Sequence, residues 1–281
     1  MPTVQTNDIE TYYDVRGDGP PIVFIHGALA DHTAADLQLA AFSDDYTAIA
    51  YDLRGHGNTQ QPHDTPYSID QLADDLEAFL TALDLERPVL CGVSMGGMIA
   101  QVYASRQPER LGGLVLADTF TPTFVNRRDR FERTVLLKIY RELLRRVGYE
   151  RALRVMTWLG RNLEGNESTS LRADRFPAME TAAAVTALRA LQTFHETDID
   201  LSEIIVPTLI LYGEHEMSVV RRHVPTLAAT IPGATVQEVP GAGHASPWDN
   251  PAFFNDAVRE FLREIPQSPR AERETTGKSG C

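Results

Sequence analysis

The chain has 281 residues, 43% of them apolar, with 19 Gly and 17 Pro, a composition that fits one large globular domain or a domain carrying an insertion. A formal net charge of −13 argues against non-specific binding to nucleic acid. No apolar run approaches the ~18–20 residues of a membrane span, and the start, Met-Pro-Thr-Val-Gln-Thr-Asn-Asp, has no basic-then-apolar leader pattern, so a cytoplasmic location is expected.

Thr11–Val15 reads as an antiparallel edge strand, and Pro21–His26 and Tyr46–Asp52 as buried strands. Ile69–Leu83 has apolar residues at helical spacing (Ile69, Leu72, Leu76, Phe79, Leu80, Leu83), with Ser68 placed to cap it. Val89–Cys91 is a further strand, and a helix-like stretch runs from Met98. Gly113–Asp118 follows as another strand. Residues 119–203 then break the alternation. They hold no convincing strand and three helical stretches, near 127–147, 149–163 and 179–194, an all-helical insertion that reads as a cap. Its many arginines either attract an anionic substrate or form solvated helix faces. Pro207–Gly213 and Ala234–Val239 return as strands. Pro251–Ile265 closes with a helix that has Pro at its first turn. Pro266–Cys281 is polar and aperiodic, which predicts a disordered tail. Apolar strands alternating with helices imply a parallel sheet covered on both faces. The expected division is core 1–118 and 204–265, cap 119–203, tail 266–281.

Gly92-Val-Ser94-Met-Gly96 lies between a strand and a helix. A serine on so tight a turn needs small neighbours two residues to either side, and the glycines supply them. The turn holds the Ser94 hydroxyl up as a nucleophile. A hydroxyl is weak until a base takes its proton. Gly241-Ala-Gly-His244 follows the last strand and precedes the last helix, so His244 is the expected base. A third, acidic group should orient the imidazole, from the turn after Pro207–Gly213, which reads Gly213-Glu214-His215-Glu216. Met95, next after the nucleophile at a helix start, offers its N–H to a developing oxyanion. Cys91 reads as an inert buried thiol, and two cysteines make no disulfide framework.

These motifs together (His26-Gly, Asp52-Leu-Arg-Gly-His-Gly, Gly92-Val-Ser-Met-Gly-Gly, Leu114-Val-Leu-Ala-Asp and Gly243-His) resemble the α/β-hydrolase fold family across about residues 20–265. The resemblance implies a mostly parallel eight-stranded sheet with helices on both faces and a helical cap insertion. It implies the order Ser, acid, His. The family usually places Asp three residues after the strand's glycine; Glu216 stands there, and Asp118, after the preceding strand, is the alternative acid. Ala28 would supply the second oxyanion N–H. A Ser at the elbow departs from the dehalogenase and epoxide hydrolase branches, which use Asp. The chain looks most like the 3-oxoadipate enol-lactonase and carboxylesterase branch, implying hydrolysis of a small ester or lactone with no metal or organic cofactor. The same residues also suit C–C bond hydrolysis or cofactor-free perhydrolysis, and the fold also serves ligand-binding proteins with little turnover. A pocket is expected between elbow and cap, with Phe120, Phe124, Met156, Trp158 and Trp248 as candidate walls.

Overall fold

The computed structural model describes residues 2–60, 66–163 and 176–265. Eight strands form one sheet in the order β1-β2-β4-β3-β5-β6-β7-β8. They are β1 Thr3–Thr6, β2 Ile9–Arg16, β3 Pro21–Ile25, β4 Thr47–Tyr51, β5 Val89–Val93, β6 Gly113–Ala117, β7 Thr208–Gly213 and β8 Thr235–Val239. The pairs β1–β2 and β2–β4 are antiparallel, and the ladder from β4 to β8 is parallel. The sequence pattern has seven of these strands. The eighth, β1, is four mostly polar residues on the sheet edge, too short and too solvated to show an apolar period.

Alternate residues of the parallel strands enter two cores, because successive side chains point to opposite faces. Val23, Ile25, Ile49, Leu90, Leu114 and Ile210 pack against α2 (Ile69–Ala82) and α3 (Met95–Arg106). Phe24, Ala50, Cys91, Val115 and Leu209 pack against α1 (Asp36–Phe42) and α11 (Pro251–Glu264). Fully buried side chains such as Phe42 and Phe254 each contribute about 1.5–3 kcal/mol. Ser68 caps α2 by accepting from Gln71 N, and Asn250 caps α11 by accepting from Phe253 N, ahead of Pro251.

Between β6 and β7 the described chain is helical: α4 (Arg127–Phe131), a π-helical stretch Glu132–Leu136, α5 (Leu137–Val147), α6 (Tyr149–Leu163) and α7 (Thr181–Thr193). This is the cap insertion; two short helices, α8 (Ser218–Arg221) and α9 (Val224–Thr230), lie between β7 and β8. Gly148, at φ +87°, turns α5 into α6. Leu144, Tyr149, Leu153, Ala184 and Leu188 give the cap its own small core, which closes on Leu29 of the main domain. Some cap arginines are engaged at the surface: Arg128 pairs with Glu132, and both Arg145 and Arg146 pair with Glu142. The expected tail, 266–281, lies outside the described residues.

Candidate active site

The parallel strands end together, and their C-terminal turns bring distant residues to one place. Ser94 follows β5 with φ +53° and ψ −113°, a left-handed backbone costly for any residue with a Cβ. Its N–H continues the sheet to Ala117 O at 2.9 Å, and its carbonyl accepts from Thr119 Oγ1 at 2.7 Å. A Cβ at Gly96 would stand 2.0 Å from Ile25 O, and one at Gly92 2.4 Å from Gly96 O, so the elbow closes only with glycine at both positions. Thr119 was not singled out in the sequence; its role is set by the approach of β6 and has no local signature.

His244 lies in the loop between β8 and the short helix α10 (Ser246–Asp249). Its Nε2 is 3.1 Å from Ser94 Oγ, and its Nδ1 is 2.9 and 3.1 Å from Glu216 Oε1 and Oε2. An ionised carboxylate only accepts, so Nδ1 carries the proton and the neutral ring offers Nε2 as acceptor to the serine hydroxyl. Glu216 Oε1 also accepts Met217 N–H at 2.6 Å, and no part of its side chain is exposed. Burial disfavours the imidazolium, but Glu216 first, then Asp118 and Asp249, more than offset it and hold the His244 pKa up at about 9.

The other two acids of the sequence reading serve elsewhere. Glu214 accepts Gly241 N–H at 2.8 Å and fastens the turn after β8. Asp118, fully buried with φ +49°, accepts Gly213 N–H at 3.2 Å through Oδ1 and Ser246 N–H at 2.8 Å through Oδ2. It joins the start of the Glu216 turn to the loop carrying His244. Burial first, then repulsion from Glu216, pushes its pKa well above the carboxylate range, with His244 opposing. His26 has no free ring nitrogen for base chemistry: Nε2 accepts Leu53 N–H at 3.0 Å and Nδ1 meets Gly27 O at 2.8 Å.

Met95 is the first residue of α3, where helix geometry offers its N–H no intrahelical acceptor. Ala28 lines the pocket with Ser94. The two expected donors therefore flank the serine from α3 and from the loop after β3. Among the described residues no cluster of three or more His, Cys, Asp or Glu is arranged to hold a metal ion.

An open pocket of about 820 Å³, its mouth included, begins at Ser94 and His244. Of the expected walls, Trp248 lines it. Phe120 and Phe124 instead turn into the cap base, where Arg133 sits over both rings at 4.3 and 5.0 Å. Trp158 is 63% exposed on the outside of α6. The Met156 side chain lies outside the described residues. Phe176 of the insertion lines it on the cap side, and the pocket also runs past Phe24, Ala35, Ala50, Cys91 and Phe254 into the apolar layer against α1 and α11. Small alanines make that route, and the sequence search for large walls overlooked them. Burial pushes the Cys91 thiol pKa up, in keeping with an inert thiol.

A second relay, Thr121–His223–Asp129, joins the same kinds of group as the first, a hydroxyl, an imidazole and a carboxylate. His223 Nδ1 meets Thr121 Oγ1 at 3.0 Å and its Nε2 meets Asp129 Oδ1 at 3.0 Å. Thr121, His223 and Asp129 are all buried from solvent, so this relay clamps the cap's first helix to the core and has no access to a substrate.

The sequence profile of the alpha/beta hydrolase fold matches residues 20–251. The chain belongs to the α/β-hydrolase fold family. It is 32% identical over 282 residues to the non-heme chloroperoxidase CPO-A1 of Kitasatospora aureofaciens, covering 94% of this chain and all of that protein. It is 36% identical over 119 residues to 3-oxoadipate enol-lactonase 2 of Acinetobacter baylyi, covering 42% of this chain and 44% of that one. The crystal structure of the enol-lactonase from Burkholderia xenovorans LB400 superposes with a TM-score of 0.76 at 25% identity, over 94% of this chain and 100% of that one. No described helix is long and apolar enough to cross a membrane.

Proposed function

We propose that this α/β-fold hydrolase cleaves a small carboxylic ester or lactone through an acyl-enzyme on Ser94. The observation that carries this reading is the unbroken relay Ser94 Oγ–His244–Glu216 at the head of an apolar pocket. His244 Nε2 takes the Ser94 proton as Oγ attacks the carbonyl carbon. The Ala28 and Met95 N–H groups receive the developing oxyanion. Each such donor contributes roughly 10²–10³ in rate where it has been removed. The imidazolium, held by Glu216, then protonates the departing alkoxide oxygen, which in a lactone is the ring oxygen and stays attached to the acyl chain as a hydroxyl. Water enters, gives its proton to His244, and the free acid leaves with Ser94 restored.

The chloroperoxidase relative aligns over nearly the full chain, whereas the enol-lactonase match covers less than half. That difference favours a second reading on the same residues: hydrogen peroxide in place of water takes the acyl group, giving a peracid and free Ser94. Turnover of p-nitrophenyl acetate and of an enol-lactone, with and without peroxide, separates the two. The first reading requires release of carboxylic acid that is lost in Ser94→Ala; no turnover of any ester or lactone would refute both.

A further inference from the structure

Gln38 of α1 is 1% exposed and lines the pocket below Ser94. Its amide nitrogen donates to Pro247 O at 3.0 Å and to Asn255 Oδ1 at 3.2 Å. A backbone carbonyl only accepts, so the Pro247 contact fixes which end of the amide is nitrogen. The other end, Oε1, has no hydrogen-bond partner among the described residues. A buried acceptor without a donor is costly, and native folds seldom leave one idle.

The wall around it supplies no strong donor of its own, a thiol S–H being a weak one. Phe24, Ala35, Ala50 and Phe254 present carbon, and Cys91 a thiol. The other polar side chains on the wall are engaged: His26 through both ring nitrogens, His32 Nδ1 on Asp52 Oδ1 at 2.8 Å, Trp248 Nε1 on Ala34 O, and Ser94 and His244 in the relay. A ligand reaching Gln38 must therefore bring the donor. It must also be neutral there. An ammonium would lose its hydration against carbon, and a carboxylate would face a carbonyl oxygen.

We propose that the pocket beneath Ser94 is a subsite for esters or lactones carrying a neutral donor, a hydroxyl or an amide N–H, which Gln38 Oε1 accepts. The inference rests on the reading of Ser94 as nucleophile. A site built to bond a hydroxyl rejects the analogue lacking it far more strongly than an apolar wall rejects an extra methylene. The amide nitrogen of Gln38 meanwhile ties α1 to Pro247, three residues from His244, so the residue also has a packing role that the test must separate.

The test compares kcat/KM for matched pairs. p-Nitrophenyl hexanoate and its 6-hydroxy analogue place the donor on the acyl side; hexyl and 6-hydroxyhexyl acetate place it on the alcohol side. The full chain should prefer the donor-bearing member of one pair by ~10-fold or more, and that pair identifies which half of the ester occupies the pocket. In Gln38→Met the preference should fall to about twofold or less. A mere loosening of the His244 loop lowers both members together and leaves the ratio intact. Equal rates or a preference for the plain esters in the unaltered protein, or a preference that survives in Gln38→Met, would overturn the proposal. If no ester is turned over, the nucleophile reading fails, and thermal stabilisation by 6-hydroxyhexyl acetate against hexyl acetate, which has no donor, still decides the subsite: equal shifts refute it. The same thermal measurement shows whether Gln38→Met is folded; if it is not, the preference of the unaltered protein decides.

Discussion

Glu216 meets the His244 ring with both carboxylate oxygens, Oε1 at 2.9 Å and Oε2 at 3.1 Å, from a turn three residues past the end of β7. The extra methylene relative to the family's usual aspartate leaves the contact intact, because Met217 N–H pins Oε1 from the next residue. Glu216→Gln keeps the shape and removes the charge that supports the imidazolium, so kcat should fall by roughly 10³–10⁴, and the melting temperature at neutral pH should drop as that pairing is lost. Steady-state kinetics on one ester, alongside thermal denaturation, measures both.

Asp118 is expected to behave differently. It bonds backbone N–H groups at the bases of both the Glu216 turn and the His244 loop, and it makes no hydrogen bond to the imidazole itself. Asp118→Asn must turn an amide N–H toward one of those two donors. That should cost about 1–3 kcal/mol of stability and less activity than Glu216→Gln. A larger loss of activity in Asp118→Asn than in Glu216→Gln would reverse the assignment of the acid.

The pH dependence follows from the His244 pKa of about 9. Only the neutral ring accepts the Ser94 proton, so kcat/KM should rise about tenfold per pH unit below that value and level off above it. Glu216→Gln removes the charge that favours the imidazolium and should move the limb to lower pH. Stability runs the other way. The folded pKa is raised, so this pairing contributes fully below the unfolded imidazole value of ~6.5 and is lost as pH climbs through about 9.

The cap is anchored by a buried charge cluster. Asp129 holds His223 at 3.0 Å and lies 3.7 Å from Arg133, and all three are nearly inaccessible. Asp129→Ala strands the guanidinium and should destabilise the fold by about 3–5 kcal/mol, read by chemical denaturation.

The sheet and most helices were legible because their signals are local: apolar runs for β3 to β7, Ser68 and Pro251 at helix starts, glycines at the elbow. Ser94 and His244 were legible for the same reason, each sitting in a glycine turn beside a strand. The acid was legible only as a choice among Glu216, Asp118 and Glu214, since the choice depends on which carboxylate reaches the ring in space. Of the pocket walls, Trp248 was legible and three others were misplaced. Phe120, Phe124 and Trp158 are large and lie in the insertion, but the loop after β6 carries the first two into the cap base under Arg133 and α6 presents the third to solvent. The walls the sequence did not reveal include several alanines and Gln38, whose importance comes from volume left open and a bond left unmade, neither of which has a sequence pattern.

The central claim is that His244 and Glu216 make Ser94 a nucleophile, and covalent labelling tests it most directly. A fluorophosphonate should add one phosphonyl group to the peptide containing Ser94, at a rate that rises toward pH 9 and falls by orders of magnitude in His244→Ala. Labelling on another residue, or ester turnover that persists in Ser94→Ala, would contradict it.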